Sequence, residues 1–255
     1  MKKLLMLIIA GLSLLVVTYG CNGPGTSRQK QSESSRDARP ITPPKGEWPF
    51  FAEEAETKQV AEKLTTKNIV LIFDGSGSMK DRKCSGKSAK IVVAKRAVKE
   101  WCKSVPEDAN LGLVAFHAEK FSELPLGRGN REEFTTTIDT VIANGGTPLT
   151  ESFGKAYKML TAQAQKQLGY GEYSVVVVTD GKASYPKTLT KAVNWILQYT
   201  PIMVHTIGFC IDEKHTLNQP GRTMYRTADN PEALRRGLRE VLAEAESFDV
   251  TGFAQ

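Results

Sequence analysis

Asp74-Gly75-Ser76-Gly77-Ser78 places one carboxylate and two hydroxyls at alternate positions, with glycines between them. Glycine lets the backbone turn sharply, so such a string can fold until its side-chain oxygens converge. Two more strings carry related chemistry. Gly145-Gly146-Thr147-Pro148-Leu149 reads as a tight turn opening a helix, with Thr147 at the cap. Thr179-Asp180-Gly181 closes the apolar run Val175-Val176-Val177-Val178. Brought together, Asp74, Ser76, Ser78, Thr147 and Asp180 offer only hard oxygen donors. Such a set suits Mg²⁺, Mn²⁺ or Ca²⁺ and disfavours zinc or copper. With Asp74 and Asp180 as its only carboxylates, the set is light in negative charge. A bound ion there keeps waters and has room for an acidic ligand from outside.

Catalytic readings fit these residues less well. An aspartyl nucleophile at Asp74 usually has a second aspartate two residues on, where this chain has Ser76. No glycine-rich phosphate loop with a lysine follows a strand. A serine nucleophile needs a base, and His117, His205 and His215 are the only histidines. His205 lies in an apolar run and reads as a core residue; His117 and His215 read as solvated. None has the neighbours of a triad. The expectation is a protein that is not an enzyme.

The elements that must position these residues alternate along the chain. Strands are expected at 68–73, 111–116, 120–124, 173–179, 202–209 and 224–227. Helices are expected at 88–102, with Ser88 a candidate cap in an ambiguous 86–88 stretch, then at 131–142, 149–167, 188–199 and 231–246. The run of four valines is the signature of a strand covered on both faces. Alternation of this kind predicts an α/β fold: a doubly wound, mostly parallel central sheet with helices on both faces. The segment 120–124 pairs with 111–116 as a hairpin, giving one antiparallel edge strand. Ligands of such sheets bind beyond the carboxyl ends of the strands, where Asp74 and Asp180 fall.

Asp74-x-Ser76-x-Ser78, Thr147 and Asp180, in this order and on these elements, resemble the metal-ion-dependent adhesion site of von Willebrand factor type A domains. The resemblance spans about residues 66–246. It implies that Ser76, Ser78 and Thr147 touch the metal directly, while Asp74 and Asp180 act mainly through water. It also implies that an Asp or Glu of a protein ligand completes the coordination. Recognition, without catalysis, is the activity it implies. A second reading is a structural or assembly subunit of a cell-envelope complex, with the metal mainly stabilising.

The N-terminus resembles a lipoprotein signal. Lys2 and Lys3 precede an apolar stretch of 14 residues, Leu4 to Val17, which is short for a membrane span. Gly20-Cys21 then fits cleavage before Cys21 and its lipidation, although Thr18 and Tyr19 depart from the usual pattern. The expected organisation is a signal peptide over 1–20, a flexible tether over 21–46 and an N-terminal helical extension over 47–65. The type A domain follows over 66–246, with a tail over 247–255. The tether is rich in Gly, Ser, Pro and charge and would reach about 25–30 Å. Within the extension, Trp48, Pro49, Phe50 and Phe51 are expected to pack on the domain, and 52–65 to be helical.

The expected location is therefore the cell envelope, outside the cytoplasm, held to a membrane by the lipid. Export allows disulfides. Cys84 and Cys210 should both lie at the metal-binding edge, and a Cys84–Cys210 bridge is expected, with Cys102 buried and unpaired. The net charge of +6 is spread among mixed signs, with no basic stripe interleaved with aromatics, so nucleic acid is not an expected partner.

Overall fold

A computed structural model describes residues 46–50 and 59–246. The expected signal peptide, Cys21, Phe51, nearly all of the tether and the tail lie outside the described residues. The strands are β1 (Lys67–Gly75), β2 (Asn110–His117), β3 (Lys120–Gly127), β4 (Glu172–Thr179), β5 (Met203–Phe209) and β6 (Met224–Ala228). The helices are α1 (Lys90–Ser104), α2 (Arg131–Thr140), α3 (Leu149–Lys166), α4 (Pro186–Tyr199) and α5 (Pro231–Glu246). A single 3-10 turn spans Gly77–Lys80.

The strands form one sheet in the order β3-β2-β1-β4-β5-β6. Every neighbouring pair is parallel except β2 and β3, which form the antiparallel hairpin at the edge. Alternation along the strands divides the core in two. Leu71, Phe73, Val176 and Val178 face one side, with α1, α2 and α5. Val70, Ile72, Val175 and Val177 face the other, with α3 and α4. β1 lies between β2 and β4, so both its faces and both its edges are covered. This explains why its residues from Asn68 onward are all buried.

Two features depart from the sequence expectations. The stretch 52–65 was expected to be helical; residues 51–58 lie outside the described residues, and 59–65 are irregular. The Ala61 N–H bonds to Lys166 O at the end of α3, and Val60 is 54% exposed, so residues 59–65 have neither a helical ladder nor an apolar stripe to bury. Trp48 does pack on the domain. Its ring meets Tyr173 edge-on at 4.6 Å, and its Nε1–H donates to Thr161 Oγ1 at 3.3 Å. The second departure concerns α1, which begins at Lys90 after Ala89, so Ser88 is not its cap. Ser88 O instead accepts from Ser85 Oγ.

Candidate metal centre

The parallel register fixes the floor of the site. Phe73 pairs with Val178, so Asp74 and Thr179 stand side by side at the same level of the sheet. Thr179 Oγ1 donates to Asp74 Oδ2 at 2.5 Å, and the Ser76 N–H donates to Asp74 Oδ1 at 2.7 Å. Asp74 is fully buried, and burial is the main reason its carboxyl is raised from the ordinary 3.8 to about 6. The Ser76 and Thr179 hydrogen bonds pull against that rise, and the nearby Asp180 charge adds to it.

The chain then turns outward. Ser76 is buried and Ser78 is exposed, with their hydroxyls 3.1 Å apart. Ser78 Oγ donates to Asp180 Oδ1 at 2.6 Å. Gly75 makes this exit possible. A Cβ there would lie 2.6 Å from Phe116 O and 2.6 Å from Val141 Cγ1, so the strand end can pass only without a side chain.

The Gly145–Pro148 turn closes the third side. Gly145 adopts φ +89°, and its carbonyl accepts from the Gly77 N–H at 2.9 Å, tying the two loops together. Thr147 was expected to cap α3. Pro148 takes that position instead, and the Thr147 backbone bonds to Ser184 in both directions, N–H to Oγ at 3.1 Å and O from N–H at 3.0 Å. The Thr147 hydroxyl is therefore not committed to a cap. It reaches the same spot as Ser78: a Cβ built at Gly181 would be 3.6 Å from Ser78 Oγ and 3.7 Å from Thr147 Oγ1.

All five predicted site residues are thus gathered at one edge of the sheet. Hydroxyl and carboxylate oxygens line the gathering, with Asp74 at the floor and Ser78 at the mouth. Such a donor set fits a hard divalent cation.

Two residues at the site were missed. Thr179 holds Asp74 but was read only as a strand end; its register with Asp74 was the available signal. Lys90 donates to Asp180 Oδ2 at 2.7 Å, with both side chains nearly inaccessible to solvent. Burial alone would lower the Lys90 ammonium; the hydrogen bond and charge of Asp180 outweigh it and leave it raised. A helical stripe of Lys90, Ile91, Ala94, Val98 and Trp101 put Lys90 on the buried face of α1, and a lysine there needs an acid.

The histidines also correct the sequence reading. His117 and His215 are buried, not solvated. His117 Nε2 bonds to Ser122 Oγ at 3.0 Å. His215 stacks on Tyr225, and its Nε2 bonds to Gly181 O at 3.0 Å, so the Cys210–Thr223 connection folds down beside the site. His205 lies buried in β5, as expected.

The model of the von Willebrand factor type A domain matches residues 68–242. The chain belongs to the von Willebrand factor type A domain family. Over 136 residues it is 30% identical to the uncharacterized protein YwmD of Bacillus subtilis (strain 168), a match covering 48% of this chain and 58% of that one. The pilus adhesin SpaC of Lactobacillus rhamnosus GG superposes with a TM-score of 0.57 at 15% identity, over 73% of this chain and 31% of SpaC. The match thus spans less than two thirds of both YwmD and SpaC. Manganese-loaded TRAP of Plasmodium vivax superposes with a TM-score of 0.51 at 21% identity, over 67% of this type A chain and 71% of TRAP.

Proposed function

We propose that this chain is a non-catalytic, divalent-metal-dependent protein-binding module, carried on an exported protein that Cys21 anchors to a membrane through lipid. One observation carries the reading: the Ser76, Ser78 and Thr147 hydroxyls and the Asp74 and Asp180 carboxylates occupy one edge of the sheet. Ser76, Ser78 and Thr147 would hold Mg²⁺, Mn²⁺ or Ca²⁺, with Asp74 and Asp180 orienting them. The bound ion supplies a Lewis-acid position that an Asp or Glu of the partner can enter.

Each residue has a definable part. Thr179 and the Ser76 N–H keep Asp74 ionisable inside the protein. Ser184 holds the Thr147 backbone in place. Lys90 neutralises one oxygen of Asp180 and leaves the other on Ser78. With Lys90 counted, the two carboxylates and one ammonium total about −1, less than a divalent ion carries. A partner carboxylate brings the missing negative charge. The pilus adhesin and the manganese-loaded protein among the structural neighbours support a binding role over a catalytic one.

The test is crosslinked capture of partners from native envelope with Mg²⁺, with chelator, and with Thr147→Ala. Capture should require Mg²⁺ and fail in the variant. Equal capture in chelator would sink the reading. Radiolabelled fatty acid should enter the protein and be lost in Cys21→Ser; label retained in the variant would remove the lipid anchor from the proposal.

A further inference from the structure

Cys84 and Cys210, expected to form a bridge, are free thiols in the structure. Cys84 lies in the β1–α1 connection and Cys210 follows β5, yet the fold sets the two side chains near enough to interact electrostatically. The Cys210 thiol also donates to Lys83 O at 2.8 Å. Both cysteines adopt φ values near +60°, 58° at Cys84 and 62° at Cys210, a region that non-glycine residues rarely enter. Both are partly exposed, whereas Cys102 is fully buried in α1.

Only the folded chain brings this pair together. β4 separates β1 from β5 in the sheet, so the thiols meet across the end of β4 where Asp180 sits. The connection between them is anchored at three points: Ser85 N–H to Arg82 O, Ser85 Oγ to Ser88 O, and Lys90 N–H to Asp81 O. Its last residue before the helix leads into Lys90, the partner of Asp180.

We infer that Cys84 and Cys210 are a redox-active dithiol that a disulfide oxidant converts to an intramolecular disulfide, pinning the β1–α1 connection across the Asp180 end of the sheet. The step is thiol–disulfide exchange. The Cys84 thiolate attacks one sulfur of the oxidant R–S–S–R; a Cys84–S–S–R bond forms and one RS⁻ leaves. The Cys210 thiolate then attacks the Cys84 sulfur, forming Cys84–Cys210 and releasing the second RS⁻. Two electrons pass from the protein sulfurs to the oxidant, and the two thiol protons end on the released thiols.

The order follows from surroundings. The Cys210 thiol donates its proton to Lys83 O, which holds it in the protonated form, so the first attack falls to Cys84 and Cys210 is the resolving partner. Cys102 is excluded by its burial, which pushes its thiol up to about 11. This inference does not depend on metal occupancy, so it can fail while the binding reading stands, and the reverse.

The test treats the full chain, purified in detergent, with oxidised glutathione as the probe, followed by alkylation and peptide mapping. Cys84 and Cys210 should become protected together and appear as one linked peptide pair, released by reductant. Amide exchange at Ser85 and Lys90 should slow by about tenfold, because the link removes local openings. Cys210→Ser should stop at a glutathione adduct on Cys84, and Cys84→Ser should leave Cys210 open to alkylation. The inference is overturned if both thiols stay alkylatable, if the wild type ends as a glutathione adduct, or if the link forms with Cys21 or Cys102. Unchanged exchange at Ser85 and Lys90 in the linked protein would overturn the pinning.

Discussion

Asp74 is a carboxylate that the fold does not favour in its charged form. It ionises near 3.8 when unfolded and near 6 when folded, with burial as the main cause. Between those values the folded state holds the extra proton, so Asp74's contribution to stability falls as pH rises through this window and is fully lost above 6. The difference is on the order of 2–3 kcal/mol at neutral pH. Asp74→Asn should therefore stabilise the metal-free protein by about 2 kcal/mol at pH 7.5, have little effect near pH 4, and weaken Mn²⁺ binding by at least about tenfold. Urea melts at both pH values and Mn²⁺ titration check all three; an Asn variant less stable at pH 7.5 would show that its hydrogen bonds outweigh its charge. Lys90 behaves oppositely. Lys90→Met leaves Asp180 buried and charged without a countercharge, which costs about 3–5 kcal/mol in chelator. A divalent ion then takes over part of the neutralisation, so Mg²⁺ should raise the melting temperature more in the variant than in the wild type. An equal increment would mean that Lys90 and the metal do not share Asp180.

At the scale of elements, the site is where β1 and β4 end and two loops lock together. Gly75 is the tightest point of that junction. Gly75→Ala would drive a methyl into the Phe116 carbonyl and Val141, and the chain can yield only by moving the backbone. The expected cost is about 1–3 kcal/mol, with Asp74 and Ser76 displaced from Thr147 and metal affinity falling with it. Urea denaturation in chelator separates the first effect from the second. The strands were legible because covering them on both faces demands unbroken apolar runs, as in Val175–Val178. The oxygen donors were legible because their spacing is local. Thr147's freedom was not, because Pro148 takes the cap and only the contact with Ser184 shows where the backbone goes. Lys90 was hidden by the same rule that made its helix visible: an apolar stripe was read, and the one cation on it passed over. The burial of His117 and His215 depends on Ser122, Tyr225 and Gly181, which no local pattern joins to them.

At the scale of the whole molecule, the sheet has two poles with different duties. β1 and β4 end at the oxygen cluster and begin at the other pole, where Trp48 lies against Tyr173 and Gln165 Nε2 donates to Pro49 O and Phe50 O. Residues 46–50 thus join the domain at the pole away from the site. Perturbing that joint should not reach the metal, because additivity holds for sites that share no partners. Trp48→Ala removes an aromatic pair and a hydrogen bond from a half-buried position and should cost about 1–3 kcal/mol in chelator. Mn²⁺ affinity should stay within about twofold of the wild type, and the double variant Trp48→Ala/Thr147→Ala should lose stability as the sum of its parts, within about 0.5 kcal/mol. Urea melts of the four proteins and Mn²⁺ titration of each complete the cycle. A coupling above about 1 kcal/mol, or a Mn²⁺ affinity that falls with Trp48→Ala alone, would show that the two poles communicate through the sheet.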